Sequence, residues 1–266
     1  MSHRAWMLLV AAVAAAVYST TRVTSPLPVE AADPNVGPGS GAVDVATAAP
    51  PGDPLIATFS ICACDPETGE VGAAVASMYP AVGKVVPFVK SGVGAFCTQF
   101  YNNAEFGPKA IAMLEMGMRP EDILAQLLKN DPRPEHRQLG IVDMQGRTAN
   151  RNPIAASIQP GCEWWGAASG KYYSVQGNTL AGRKVIADMA AAYEDTEGTV
   201  ADRLMAALKA GEDAGGDHRG RLAAGIRVAK PNVDGLYVEL YVDKSDNAVD
   251  DLVKVYAEWK QTQASK

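Results

Sequence analysis

The chain reads as an α+β protein in which two antiparallel sheets lie between layers of helices, a four-layer αββα sandwich. Three observations predict it. From residue 55 onward the segments run strands, two helices, strands, two helices, strands, helix, an order that layers helices on sheets instead of alternating them one by one. The strand segments come in pairs separated by turn residues, as hairpins do. One of them, "GAAVAS" (72–77), carries only small side chains, which let a further layer approach closely.

The elements follow in order. "LIATFSICAC" (55–64) reads as one strand. "DPETGE" is its turn, with Pro66 fixing φ and Gly69 supplying permissive geometry. "VGAAVASM" returns. "KVVPFVK" and "VGAFCTQF" form a second hairpin about Ser91-Gly92, and Pro87 confines the first of these strands to an edge or an irregular course. "AEFGPKAIAMLEMG" is a helix with apolar spacing at Ile111, Leu114 and Met118. "RPEDILAQLLKN" is another, with Pro120 in the first turn and Glu121 and Asp122 near the positive end of the dipole. "RQLGIVDMQGRTA" turns at Gln145-Gly146, and "GCEWWGAASGKYYSVQGN" supplies one or two short strands. "AGRKVIADMAAAYEDTEG" and "TVADRLMAALKAGEDAGG" are amphipathic helices. "LAAGIRVAK" and "GLYVELYVD" make the last strand pair, and "NAVDDLVKVYAEWKQTQ" the last helix.

Composition narrows the function. With 266 residues and 47% apolar side chains the chain can bury one large core. A net charge of −6 with scattered Lys and Arg disfavours a nucleic-acid partner. The first 19 residues, basic at the start and apolar from Met7 to Val17, read as an export signal with cleavage after Ala16 or Ser19. The alternative is an uncleaved N-terminal anchor, although the apolar stretch is shorter than the roughly 20 residues that span a bilayer. Residues 20–54 are rich in proline, glycine and alanine and read as a disordered tether to a domain over 55–266. The expected destination is therefore periplasmic or secreted.

Four cysteines occur: Cys62, Cys64, Cys97 and Cys162. Cys62 and Cys64 share one face of a strand, and either could reach Cys97. Buried free thiols, then one disulfide, then a metal is the order of preference. With no C-x-x-C pair and three histidines, a metal site is poorly supported, and no cofactor is expected.

Several chemistries drop out. There is no G-x-S-x-G elbow, no phosphate-binding G-x-x-x-x-G-K-[ST] and no G-x-G-x-x-G. His136 and His218 have no local partners for a Ser-His-Asp arrangement. Polar residues at strand ends remain. Thr58 and Ser60 share a face. Thr98, Gln99, Tyr101, Asn102 and Asn103 stand where a strand gives way to a helix. Gln176 and Asn178 end another strand, and Asp217, Arg219 and Arg221 lie in a glycine-rich loop. Singly, each has an ordinary structural explanation, in β-propensity, helix capping or a helix exit.

Taken together, "TFSICACDPETGEVGAAVAS", "AVGKVVPF", "GVGAFCTQFYNNAEFG", "RQLGIVDMQGR", "VQGNTLAG" and "RLMAALKAGEDAGGDHRGR" resemble, in order, the domain-of-unknown-function family 1028. The resemblance runs over about residues 57 to 263. It implies the N-terminal nucleophile (Ntn) hydrolase superfamily, whose fold is the αββα sandwich. Many members of the family begin Met-Thr-Phe-Ser, so that loss of Met exposes the threonine. The resemblance thus implies an amidohydrolase in which Thr58 is the nucleophile and its freed α-amine the base. It implies Asn178, with a backbone amide, as oxyanion donor, and Arg219 near the nucleophile, oriented by Asp217. Ser77, Gln99, Tyr101, Asn102 and Gln176 are then the candidates for contact with a small amide or peptide-like substrate. "TANRNPIAA", "YNNA" and "GRLAAGI" depart from the common family pattern. All of this requires the Ala57–Thr58 bond to be cut. Uncut, the domain reads as a catalytically silent ligand-binding module. A cysteine amidase using Cys62, Cys64 or Cys97 is a third reading, and a homodimer is left open.

Overall fold

The computed structural model describes residues 54–154 and 161–265. The expected export signal and most of the tether, residues 1–53, lie outside the described residues.

Two antiparallel sheets carry the fold. The first holds five strands: β1 (Leu55–Ile56), β4 (Pro87–Lys90), β5 (Gly94–Tyr101), β6 (Arg137–Asp143) and β7 (Thr148–Arg151). Its order is β1-β5-β6-β7, with β4 on the same strand β5. The second holds β2 (Thr58–Asp65), β3 (Glu70–Ser77), β8 (Gly166–Gly170), β9 (Tyr173–Gly177), β10 (Ala223–Ala229) and β11 (Val238–Val242). Its order is β11-β10-β3-β2-β9-β8. Helices α1 (Phe106–Glu115) and α2 (Pro120–Lys129) cover the first sheet, and α3 (Lys184–Asp195), α4 (Val200–Asp213) and α5 (Ala248–Ala264) the second.

The layering follows from side-chain alternation. Along β2, Phe59 and Ile61 point outward into a core shared with Leu204 and Leu208 of α4 and Met189 of α3. Cys62 and Cys64 point the other way, into a second core with Val71, Ala73 and Val75 of β3 and with Ala95 and Cys97 of β5. A third core packs Phe96, Leu139 and Ile141 of the first sheet against Phe106, Ile123 and Leu127 of α1 and α2. Three apolar interfaces among four layers are what the αββα reading requires, and full burial of a side chain such as Phe59 contributes about 1.5–3 kcal/mol.

Local sequence sets the ends of the elements. The β2–β3 turn is held by Asp65, whose Oδ1 accepts from Glu67 N at 2.9 Å, and by Gly69 at φ +76°. A Cβ on Gly69 would stand 2.5 Å from Pro231 Cγ, so only glycine fits there. α4 opens with a reciprocal capping box between Thr199 and Asp202. α2 has Pro120 at its start and Glu121 and Asp122 in its first turn, as the sequence predicts.

Two expectations are corrected. "LIATFSICAC" is not one strand: the ladder breaks at Ala57, where the chain passes from the first sheet to the second. "KVVPFVK" is a strand only from Pro87, after a 3-10 turn at Val82–Lys84. Pro87 has no N–H to give and disfavours helical or regular continuation before it, so β4 begins at the proline and lies on an edge, paired among the described residues with β5 alone.

Candidate active site

The Ala57–Thr58 peptide bond is the crossing between the sheets. Upstream, β1 is antiparallel to β5, with Ile56 opposite Phe100; downstream, β2 is antiparallel to β3, with Thr58 opposite Ser77. Thr58 is fully buried on the face between the sheets, and its Oγ1 has no hydrogen-bond partner among the described residues.

The carbonyl of Ala57 is held by two donors. Ser77 Oγ donates to it at 2.5 Å and Arg219 Nη2 at 3.1 Å. Asp217 grips the guanidinium as a fork, Nε to Oδ1 at 3.0 Å and Nη2 to Oδ2 at 2.6 Å. Asp217 is itself buried, and Met78 N donates to it at 3.3 Å. A bidentate pair of this kind fixes the plane of the guanidinium. The carbon of the Ala57–Thr58 bond is thus polarised by a hydroxyl and a cation, beside an unengaged hydroxyl. The carbonyl of Thr58 itself accepts from Asn178 N at 2.9 Å and Gln99 Nε2 at 3.2 Å.

Behind Thr58 lies a buried ladder of amides. Gln138 Oε1 accepts from Gln99 Nε2 at 2.8 Å and from Asn178 Nδ2 at 2.7 Å. Gln138 Nε2 donates to Gly177 O at 2.8 Å and Asn152 Oδ1 at 3.0 Å. Ser60 Oγ donates to Gln99 Oε1 and accepts from Gln176 Nε2, each at 2.6 Å. The ladder needs room: a Cβ on Gly140 of β6 would stand 2.0 Å from Gln176 Oε1. Two non-glycine residues at positive φ border the region, Phe100 at +66° and Thr179 at +58°. Such conformations cost about 1–3 kcal/mol each and persist only where the surroundings impose them.

The predicted site residues do not all meet. Thr58, Ser77, Asp217 and Arg219 come together around one carbonyl. Ser77 enters as a donor to that carbonyl, a role the sequence reading did not give it. Asn178 is adjacent, but its Nδ2 is taken up by Gln138, and its contribution to Thr58 is through the main chain. The side-chain donors on the Ala57 carbonyl are Ser77 and Arg219. Gln99 and Gln176 are fully buried and bonded inward, to the carbonyl of Thr58 and to Ser60 Oγ. Tyr101 is buried and packs edge-on to Phe100 and His136. Asn102 is buried beside β1, and its Oδ1 has no partner among the described residues. Gln138 was missed. The signal available was an amide at an inward position of an apolar strand, next to a glycine.

The cysteines give no support to a thiolate nucleophile. All four are free, and Cys62, Cys64 and Cys97 are fully buried. Burial, with the Cys97 thiol beside it, pushes Cys62 well above the usual thiol range. Burial and the nearby Asp143 charge push Cys64 up to about 12. A thiol so shifted stays protonated and unreactive near neutral pH. No group of three His, Cys, Asp or Glu suited to a metal stands among the described residues.

Comparison with known proteins gives the following. The model of the family of unknown function DUF1028 matches residues 58–252. Protein SPO2555 from Silicibacter pomeroyi, of the same family model, is 29% identical with a TM-score of 0.68, over 76% of this chain and 88% of that one. Anbu (ancestral beta-subunit) from Yersinia bercovieri is 10% identical with a TM-score of 0.35, over 78% of this chain and 96% of that one. The Anbu (Gly-1) mutant from Hyphomicrobium sp. strain MC1 is 8% identical with a TM-score of 0.35, over 79% and 97%. Among curated proteins none matches.

Proposed function

The chain belongs to the family of unknown function DUF1028, and from that premise and the geometry around Thr58 we propose that it is an exported Ntn-type amidohydrolase that first cuts its own Ala57–Thr58 bond. The observation that carries this reading is the Ala57 carbonyl, held by Ser77 Oγ and Arg219 Nη2 beside the hydroxyl of Thr58, which has no partner among the described residues.

The step balances without a cofactor. Thr58 Oγ1 adds to the Ala57 carbonyl carbon, and the negative charge forms on the oxygen that Ser77 and Arg219 already face. Collapse breaks the C–N bond, and the hydroxyl proton ends on the nitrogen, leaving an ester between Ala57 and Thr58. Water hydrolyses that ester to a carboxylate and a free hydroxyl. An α-amine ordinarily has a pKa near 8, so the released amine can serve as base for Thr58. The same donors then face the carbonyl of an incoming amide. Removing one oxyanion donor typically lowers such rates about 10²–10³-fold.

The uncut chain favours a second reading. Thr58 is fully covered, and its nitrogen is an amide without basicity. If the bond persists, the domain is a silent ligand-binding module. The two readings separate on incubation of the purified full chain with intact-mass detection. Loss of residues 1–57 from wild type, but not from Thr58→Ala, followed by hydrolysis in an amide panel, supports the enzyme. An uncut wild type without amide turnover overturns it.

A further inference from the structure

β5 has two edges. β6 pairs with one of them from Gly94 to Phe100. On the other, β4 pairs with Gly94–Cys97, and Val86 O accepts from Thr98 N at 3.2 Å. Beyond that point the edge is taken by β1, Leu55 opposite Tyr101 and Ile56 opposite Phe100, extended by Asn102 N donating to Pro54 O at 3.0 Å. β1 lies before Thr58, the first residue that the family model matches. The matched domain therefore offers a short stretch of sheet edge that this chain fills with its own upstream segment. An edge of this kind accepts an added strand through main-chain bonds, with side-chain pockets setting preference.

The pockets can be read from the segment seated there. Ala57, which supplies the carbonyl on Ser77 and Arg219, is 1% exposed, and Ile56 is 0% exposed. Leu55 is half-buried and Pro54 exposed. Beside β1 runs a groove of about 310 Å³ walled by Pro54, Ile56, Tyr79, Val85 and Asn102. Asn102 Oδ1 accepts no hydrogen bond among the described residues. Phe100, directly opposite Ile56, holds φ at +66°, which a bulky L-residue adopts only where its surroundings impose it.

We propose that the place held by β1 is the acyl-side substrate cleft, and that its substrates are extended peptides which enter as a strand on β5. The residue giving the scissile carbonyl is alanine-sized, the one before it a β-branched aliphatic, and the chain leaves the cleft two residues further back. Naming these peptides as substrates rests on Thr58 being the nucleophile. Their binding does not, because the strand pairs whether or not a bond is cut.

The test uses the full chain carrying Thr58→Ala, which removes the chemistry, together with Ile56→Asp, which expels β1. Hydrogen exchange at the Asn102 amide is followed with and without acetyl-Pro-Leu-Ile-Ala-amide. The double variant exchanges at least about tenfold faster there than Thr58→Ala alone, and the peptide at about millimolar concentration restores protection. A peptide with aspartate in place of isoleucine leaves the amide open. Fast exchange at Asn102 that the Ile peptide does not slow, with β2 and β3 still protected, overturns the cleft. Ile56→Ser asks the same question with a smaller perturbation should Ile56→Asp not fold. Protection restored by the peptide in a protein whose wild type hydrolyses no amide sinks the catalytic reading alone. Hydrolysis of small amides without peptide protection sinks the cleft alone.

Discussion

Replacing Gln138 by leucine is the sharpest stability test of the site's construction. Gln138 is fully buried and accepts from two side-chain amides while donating to Gly177 O and Asn152 Oδ1. Leucine has a similar reach and no polar atom. Asn178 Nδ2 loses its only partner among the described residues. Gly177 O loses its side-chain donor, while Gln99 Nε2 keeps weaker bonds to Thr58 O at 3.2 Å and Gln176 O at 3.4 Å. Each buried group left unpaired costs about 1–3 kcal/mol. The added apolar surface returns about 1–2 kcal/mol, which leaves a net loss of about 3 kcal/mol. In a domain of about 200 residues that lowers Tm by roughly 6–12 °C. Thermal unfolding followed by circular dichroism at neutral pH reads the shift. Because Gln99 and Asn178 hold the carbonyl of Thr58, the proposed self-cleavage should slow as well. A Tm within about 2 °C of wild type would refute the claim that the ladder is a fully bonded unit.

Three further outcomes are expected. Thr58→Val removes a buried hydroxyl that has no partner among the described residues, so it should abolish cleavage and yet raise stability by about 1 kcal/mol; a lower Tm would show that Oγ1 is bonded in the folded protein. Ser77→Ala removes one donor from the Ala57 carbonyl and should slow the appearance of the chain starting at Thr58 about 10²–10³-fold, and an unchanged rate by mass spectrometry excludes Ser77 from the step. Asp202 caps α4; partial burial pushes its carboxyl up, but hydrogen bonds from Lys260, Thr199 and Tyr256 outweigh that and hold it down at about 2. A carboxyl depressed in the folded state contributes stability above its unfolded pKa of about 4 and loses it as pH falls toward 2. Asp202→Asn should therefore flatten the acid limb of urea unfolding between these pH values, and an unaltered limb contradicts the assignment.

Much of the architecture was legible because it rests on local signals. The turn with Pro66 and Gly69 and the first-turn Pro120 announce element ends, and alternation along "TFSICAC" places Thr58 and Ser60 on one face and Cys62 beside Cys64. The break at Ala57 was not legible. "LIATFS" contains no residue that interrupts a strand, and the break is set by pairing of Leu55 with Tyr101 in another sheet. The cluster of Thr58, Asp217 and Arg219 was reached through family resemblance, since nothing local joins positions some 160 residues apart. The bonding of the amides was not legible for a similar reason. Gln99 and Gln176 at strand ends look available for a ligand until Ser60, Gln138 and the gap left by Gly140 are in place around them.

On the proposed function, Ala57–Thr58 is a bond built to be cut. The direct measurement is the N-terminal sequence and intact mass of the protein recovered from the compartment where it works. The expected result is a chain beginning at Thr58. A mature chain that still carries Ala57 joined to Thr58 would contradict it.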